Sequence, residues 1–314
     1  MMFTLQILCI LAMVCAGFFA RRKGLLTAAG THDLARVSLS IVYPALILSS
    51  VTQLRLADLR LNAMLPLLTM GIALTGLGLG LLLVRFLGRV SQATARAFLF
   101  HCLINNYLFL PLPLVLFRYG PKGVALLIFA SVGYELLLWS VGVMLFSTQE
   151  ETRRISLRSL FSPPFMALLA GIAIVILRDL LAHAPPPLWF AQAVGVLREA
   201  LSDMGAATIA LSMLVAGSRF AVLRFEAIIG WRVWLVGAIR LLGVPLLVIP
   251  LLGRIPMEET ARGILTIVAV MPSAMVSVLF SERYGGDTDF IAGALLLTHL
   301  WALVSVPLLL SWAL

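Results

Sequence analysis

The sequence predicts an all-α polytopic membrane protein: ten transmembrane helices in two inverted sets of five, with the fourth and ninth helices interrupted. Three observations predict it. Hydrophobic residues make up 61% of the 314 residues and charged residues only 12%, where a soluble domain carries about 25% charged. Ten apolar runs can be placed, each near the length of about 20 residues that spans a bilayer. Proline beside small or amide residues breaks the fourth and ninth runs, one in each half of the chain.

The runs cover residues 2–20, 33–54, 63–84, 97–117, 124–147, 160–182, 194–217, 228–252, 263–281 and 290–313. They are rich in Leu, Val and Ala without strict alternation, so they read as helices and not as barrel strands. A mean hydropathy of +1.07 excludes a disordered chain, a soluble enzyme and a secreted disulfide scaffold, because that much apolar surface must face a lipid bilayer. The first run reads as a retained helix and not a cleaved signal, since Arg21, Arg22 and Lys23 follow the apolar stretch and no charge precedes it. Cys9, Cys15 and Cys102 all fall within apolar runs and read as small hydrophobes.

The net charge of +9 does not signal nucleic acid. Thirteen Lys and Arg residues fall in the loops after odd-numbered runs, Arg219 among them, against eight in the other loops. The positive-inside rule then places the odd loops in the cytosol and both termini outside the inner (plasma) membrane. A polar stretch at 147–159 divides the chain into residues 1–147, a cytoplasmic linker at 148–159 and residues 160–314. Each half carries five runs, an odd number, so halves of like fold must be inverted in the membrane. FRYGPKG (117–123) after the fourth run and SERYGGD (281–287) after the ninth share Arg-Tyr-Gly, and each precedes a run carrying a Trp, Trp139 or Trp301.

Proline removes a backbone donor, and in lipid the freed carbonyl needs a partner in protein or water. Pro44, Pro66, Pro111, Pro113, Pro245, Pro272 and Pro307 lie within runs. In the fourth, LFHCLINNYLFLPLPLVLF (99–117), Asn105 and Asn106 precede Pro111 and Pro113. Two amides at mid-membrane beside a helix breaker suit a polar ligand, since an unpartnered buried amide costs roughly 2–7 kcal/mol. In the ninth, Pro272 is followed by Ser273 and Ala274. Interrupted helices at corresponding places in two halves point to a solute site at mid-depth, and half-helix N-termini there favour an anionic or strongly polar ligand.

These stretches carry a family resemblance. FFARRKGLL (18–26), ARVSLSIVYPALILSS (35–50), NNYLFLPLPLV (105–115), SPPFMALLAGI (162–172), MPSAMVSVLFSERYGGD (271–287) and VSVPLLL (304–310) together resemble the auxin efflux carrier family, which includes the plant PIN exporters and bacterial carriers of small carboxylic acids. Pro44 falls on the proline of the family's P-A-L segment, and Asn106, Pro113 and Leu114 on its N-x-x-x-x-G-x-P-L stretch. Pro111 stands where the family has Gly, Asn105 where plant members have Pro, and Ser162 where Asn is common. The resemblance implies two inverted five-helix repeats whose broken fourth and ninth helices cross. It also implies a scaffold of helices 1, 2, 6 and 7 that forms a homodimer, and a transport domain of helices 3–5 and 8–10 that moves like an elevator.

The expected activity is secondary transport of a small organic anion such as a carboxylate. The expected substrate-binding residues are Asn105, Asn106, Pro111, Pro113, Pro272, Ser273 and Tyr43. Glu135 and Arg240 lie mid-run, where an ionisable residue is a functional candidate by default. They read either as a structural ion pair, or with Arg240 compensating a substrate carboxylate and Glu135 carrying a coupling proton. Arg198, Glu199 and Asp203 read as an ion cluster at a helix end. A sodium-coupled symporter of the bile acid type is the nearest rival, with sodium instead of proton coupling. An intramembrane enzyme is the other, but no nucleotide loop, H-E-x-x-H, G-x-S-x-G or C-x-x-C occurs. No cofactor and no metal site are expected.

Overall fold

The computed structural model describes residues 2–146, 162–181, 187–222, 230–278, 280 and 286–314, with side chains from residue 8 onward. The expected linker at 148–159 and the second Arg-Tyr-Gly, at 283–285, lie outside the described residues. Of the described residues 84% are helical, and no strand occurs among them.

Eleven helices organise the described chain: α1 Met2–Arg22, α2 Ala28–Val51, α3 Leu56–Leu61, α4 Leu65–Leu83, α5 Gln92–Leu103, α6 Pro111–Phe146, α7 Pro163–Leu180, α8 Leu188–Phe220, α9 Trp231–Leu252, α10 Glu259–Ala269 and α11 Thr288–Ala313. Seven described helical stretches are long and apolar enough to cross a membrane. Neither the fourth nor the ninth apolar run has a stretch of its own among these seven, and the backbone shows why. The fourth and ninth runs are not continuous: α5 and α10 stop short, at 12 and 11 residues. The rest of the fourth run and the fifth run form two arms of α6, joined at Gly120 with φ 64° and ψ −166°. That left-handed backbone is open to glycine and strained for other residues, which explains the glycine of the first Arg-Tyr-Gly.

Proline shapes the helices in two ways. Pro66 and Pro111 sit in the first turn of α4 and α6, where no intrahelical donor is missed; neither is a mid-helix kink. Pro44 and Pro245 instead follow π turns at Ser38–Val42 in α2 and Ile239–Gly243 in α9. Each proline leaves the carbonyl four residues back without its donor, and the preceding turn widens.

Two groups of helices pack internally. α8 runs along α1 and α2, and α2 also packs on α7. In the other group α4 packs on α5 and α6, α10 on α6 and α9, and α11 on α9. The groups meet where α2 touches α6 and α1 touches α11. Small residues bring backbones together within each group. A Cβ on Gly217 of α8 would collide with the α1 backbone at Val14 and Phe18, and one on Gly17 with the α8 backbone at Leu214. A Cβ on Gly80 of α4 would meet Cys102 of α5. Outward faces are apolar, as in Leu67, Leu74, Leu81 and Leu82 of α4 and Leu169, Ile174 and Leu177 of α7, which suits lipid as solvent.

Polar groups secure the helix ends. The Arg178 guanidinium at the end of α7 donates to Thr52 O at 2.8 Å and Leu54 O at 2.6 Å, supplying donors to the carbonyls beyond α2. Asp179 Oδ2 accepts from Leu56 N at 2.8 Å at the start of α3. Lys122 Nζ pairs with Asp58 Oδ1 at 2.7 Å, tying α3 to the second arm of α6. Gly217→Val is expected to lower the thermal midpoint of the purified protein, overpacking costing about 1–3 kcal/mol. Gly195→Ala, where a Cβ meets nothing within 4 Å, is expected to leave it unchanged or raise it; equal midpoints for both variants would show that α1 is not held in this way.

Candidate functional site

The site begins where two helices stop. α5 ends at Leu103 and Ile104 is extended, with φ −107° and ψ 115°. α10 ends at Ala269, and Pro272 then has no donor to continue a helix. The two unwound segments pair antiparallel at Asn105 and Ser273. Asn106 N donates to Pro272 O at 2.8 Å, and Ala274 N donates to Ile104 O at 3.3 Å. Ser273 N donates to Thr298 Oγ1 of α11 at 3.3 Å, and that hydroxyl donates onward to Ala294 O at 2.8 Å. Each interrupted segment thus satisfies the backbone of the other.

The two adjacent amides divide the work. Asn105, fully buried, donates from Nδ2 to Val268 O in the last turn of α10 at 2.6 Å. Asn106, 5% exposed, accepts on Oδ1 from Leu110 N at 3.2 Å, at the entry to α6. Asn105 Oδ1 and Ser273 Oγ are buried without a hydrogen-bond partner among the described residues.

Glu135 stands beside the crossing on α6. Its Oε1 accepts from Tyr107 Oη at 2.8 Å and its Oε2 from Trp139 Nε1 at 3.0 Å. Tyr107 stacks on Tyr134 with ring centroids 4.8 Å apart, and Tyr43 of α2 meets Phe109 at 5.8 Å. Arg240 of α9 is fully buried and donates from Nη1 to Cys102 O at 3.1 Å. Glu135 and Arg240 therefore take separate partners and do not form an ion pair.

A cavity of about 260 Å3 opens against the crossing, small beside drug-sized sites of about 300–1,000 Å3. One wall carries Asn105, Asn106, Tyr107, Glu135 and Trp139; the facing wall carries Ser38, Ser40 and Tyr43 of α2 with Ser212 and Arg219 of α8. A larger cavity of about 750 Å3 lies toward the opposite ends of the same helices, with Gln53, Arg198, Glu199 and Asp203 on its wall. One helical turn separates the two linings on α2, at Tyr43 and Leu46, and on α8, at Met213 and Ile209. The crossing lines the smaller cavity and not the larger.

A family model described as membrane transport protein, that of the auxin efflux carriers and PIN-like proteins, matches residues 2–310. The chain belongs to this family. It is also similar to an uncharacterized transporter of Methanothermobacter thermautotrophicus, 25% identical over 308 residues, which cover 97% of this chain and 96% of that one. The protein is a multi-pass membrane transporter.

Of the residues expected at the transporter's site, Asn105, Asn106, Tyr43 and Glu135 reach the smaller cavity. Pro111 and Pro113 begin α6 behind it, Pro272 and Ser273 form the paired backbone, and Arg240 lies away from its wall. Arg198, Glu199 and Asp203 line the larger cavity and form no ion cluster with one another. Three wall residues escaped sequence reasoning. Trp139 sits four residues after Glu135, a spacing that puts both on one helix face and could have revealed it. Tyr107 adjoins Asn106. Arg219 was counted as a loop charge because the apolar run fades at 217, whereas α8 continues to Phe220. Among the described residues no group of three His, Cys, Asp or Glu side chains could hold a metal ion.

Asn105→Ala is expected to destabilise the transporter, because it strips the amide from Val268 O; an unsatisfied buried acceptor costs about 1–3 kcal/mol. A thermal midpoint measured in detergent checks this, and an unchanged value would separate Asn105 from the integrity of the crossing.

Proposed function

We propose that the protein is a secondary carrier of a small organic anion, a carboxylate in the first instance. The observation that carries the reading is the antiparallel pairing of residues 104–106 with 272–274 beside a small cavity with polar and aromatic walls. The substrate sits against Asn106, with Asn105 and the backbone freed near Pro111, Pro113, Pro272 and Ser273 completing its polar contacts, and Tyr43 facing it from α2. Arg219 is the cation on the cavity wall among the described residues, so it, and not Arg240, compensates the substrate carboxylate. The aromatic rings of Tyr107, Trp139 and Phe109 suit an apolar or aromatic body behind that carboxylate.

The same reading assigns ten spans in two inverted five-helix repeats, counting α5 with the first arm of α6 as the fourth and α10 with the segment after Pro272 as the ninth. α1, α2, α7 and α8 act as scaffold and dimerise; the other group slides past them in an elevator movement. Support comes from the packing, in which the two groups touch mainly along α2 and α6. With the odd loops in the cytosol and both termini outside the plasma membrane, the smaller cavity faces inward, since Ser162 at the start of α7 and Arg219 at the end of α8 lie on its rim. Glu135, half-buried on the wall of that cavity, carries the coupling proton.

A thermal-shift screen of purified protein against mono-, di- and aromatic carboxylates, followed by counterflow of any hit in proteoliposomes, tests the substrate class. In the same assay Asn106→Ala is expected to abolish uptake with folding intact, and Arg219→Gln to raise KM about tenfold, equivalent to about 1.4 kcal/mol. Normal uptake by Asn106→Ala would refute the site. An imposed acid gradient is expected to drive uptake by the wild type and to have no effect on Glu135→Gln. An equal response from both excludes the proton role.

A further inference from the structure

Arg240 is among the largest fully buried side chains of the protein, and among the described residues no carboxylate pairs with it. Glu135 is already bonded to Tyr107 and Trp139. A charge buried in this way is costly unless something of opposite sign faces it. Here the opposite sign comes from the backbone. Cys102 O, which receives Nη1, belongs to the last turn of α5, where carbonyls lack intrahelical donors and the helix dipole gathers about half a negative charge. The C-terminus of α10 ends at the same crossing, its Val268 O taking the Asn105 amide, and the Tyr134 hydroxyl lies beside both the guanidinium and that amide.

The surrounding helices are shaped to admit the guanidinium. A Cβ on Gly76 of α4 would overlap both Cys102 O and Arg240 Nη1, so α4 gives up a side chain where the guanidinium lies. Arg240 itself sits in the π turn Ile239–Gly243, a local widening that often marks functional positions.

Two helices ending at mid-depth make a negatively polarised centre that calls for a cation. We propose that Arg240 is that cation, built into the chain, so that the crossing needs no bound sodium. This deepens the carrier reading by separating its substrate site from sodium coupling. Arg240 acts as a positioning residue: it holds the end of α5, and through it the Asn105–Asn106 segment, without touching the solute.

The test uses the full chain purified in detergent, with sodium chloride replacing choline chloride at constant ionic strength. A ligand that binds only the native state raises the unfolding midpoint as it saturates. The wild-type midpoint is expected not to respond to sodium, and Arg240→Lys to stay near it. Arg240→Ser is expected to fall by about 5 °C or more and to be raised again by sodium or by methylguanidinium, each entering the space that the side chain leaves. Saturable stabilisation of the wild type by sodium overturns the proposal, as does an Arg240→Ser protein with a wild-type midpoint or with no response to either cation. If Arg240→Ser is not recovered folded, the wild-type titration and Arg240→Lys decide. These arms read the cation alone, so they stand apart from the uptake assay: loss of the carrier reading leaves them unchanged, and their failure leaves Asn106 and its cavity as they are.

Discussion

Within a bilayer no water reaches the backbone, and every N–H and C=O must find its partner inside the protein. An unbroken helix meets that demand by itself; an interrupted one does not. In this chain the demand is met by having two interruptions, each completing the other. Pro272 O accepts from Asn106 N, and Ile104 O accepts from Ala274 N, so neither broken segment is tenable without its counterpart. The requirement reaches outward to Thr298, whose hydroxyl accepts from Ser273 N, and to Asn105, which reaches past the pairing to the end of α10. What remains after this mutual satisfaction is Asn105 Oδ1 and Ser273 Oγ, buried without a hydrogen-bond partner among the described residues.

Electrostatics separates the ionisable residues by task. Glu135 and Arg240 lie near each other in the expected arrangement but do not meet. Glu135 is held by two neutral donors at the cavity, whereas Arg240 faces a helix terminus behind the crossing. Had they paired, the carboxylate would be tied to a fixed cation and drawn away from the solute. With neutral donors as its partners, Glu135 stays on the cavity wall. Arg219 stands on the facing wall, so among the described residues the cavity wall carries Glu135 and Arg219 on elements that belong to different packing groups.

Much of this was legible in the sequence, and the parts that were not have physical reasons. Composition and run length fixed the membrane class, because lipid tolerates few alternatives. The interruptions showed at Asn105, Asn106 and Pro272 because proline and amides conflict openly with an apolar helix. Proline alone was a weaker guide: Pro66 only starts α4, and Pro111 starts α6, since the same residue that breaks a helix also begins one. The pairing partners of Glu135 could not be read from polarity, as Tyr107 and Trp139 also suit a core and reveal their role only when donor atoms converge. Arg219 was missed because hydropathy falls before the helix does; α8 carries its final turns, with Ser218 bonded to Thr31 of α2 at 2.6 Å, on tertiary contacts and not on apolar content.

The two cavities constrain how a solute could pass. Both lie against α2 and α8, the smaller facing the crossing and the larger facing α6, and their linings switch within a single turn of each helix, from Tyr43 to Leu46 and from Met213 to Ile209. In the proposed elevator movement, a displacement of the crossing along α2 by about one helical turn, about 5.4 Å, is enough to carry Asn106 from beside Tyr43 toward Leu46, on the wall of the other cavity. The pairing of the broken segments favours movement as a unit, because sliding either alone would strip the backbone bonds that keep both stable in lipid. The constraint that builds the site is thus also the one that favours moving it whole.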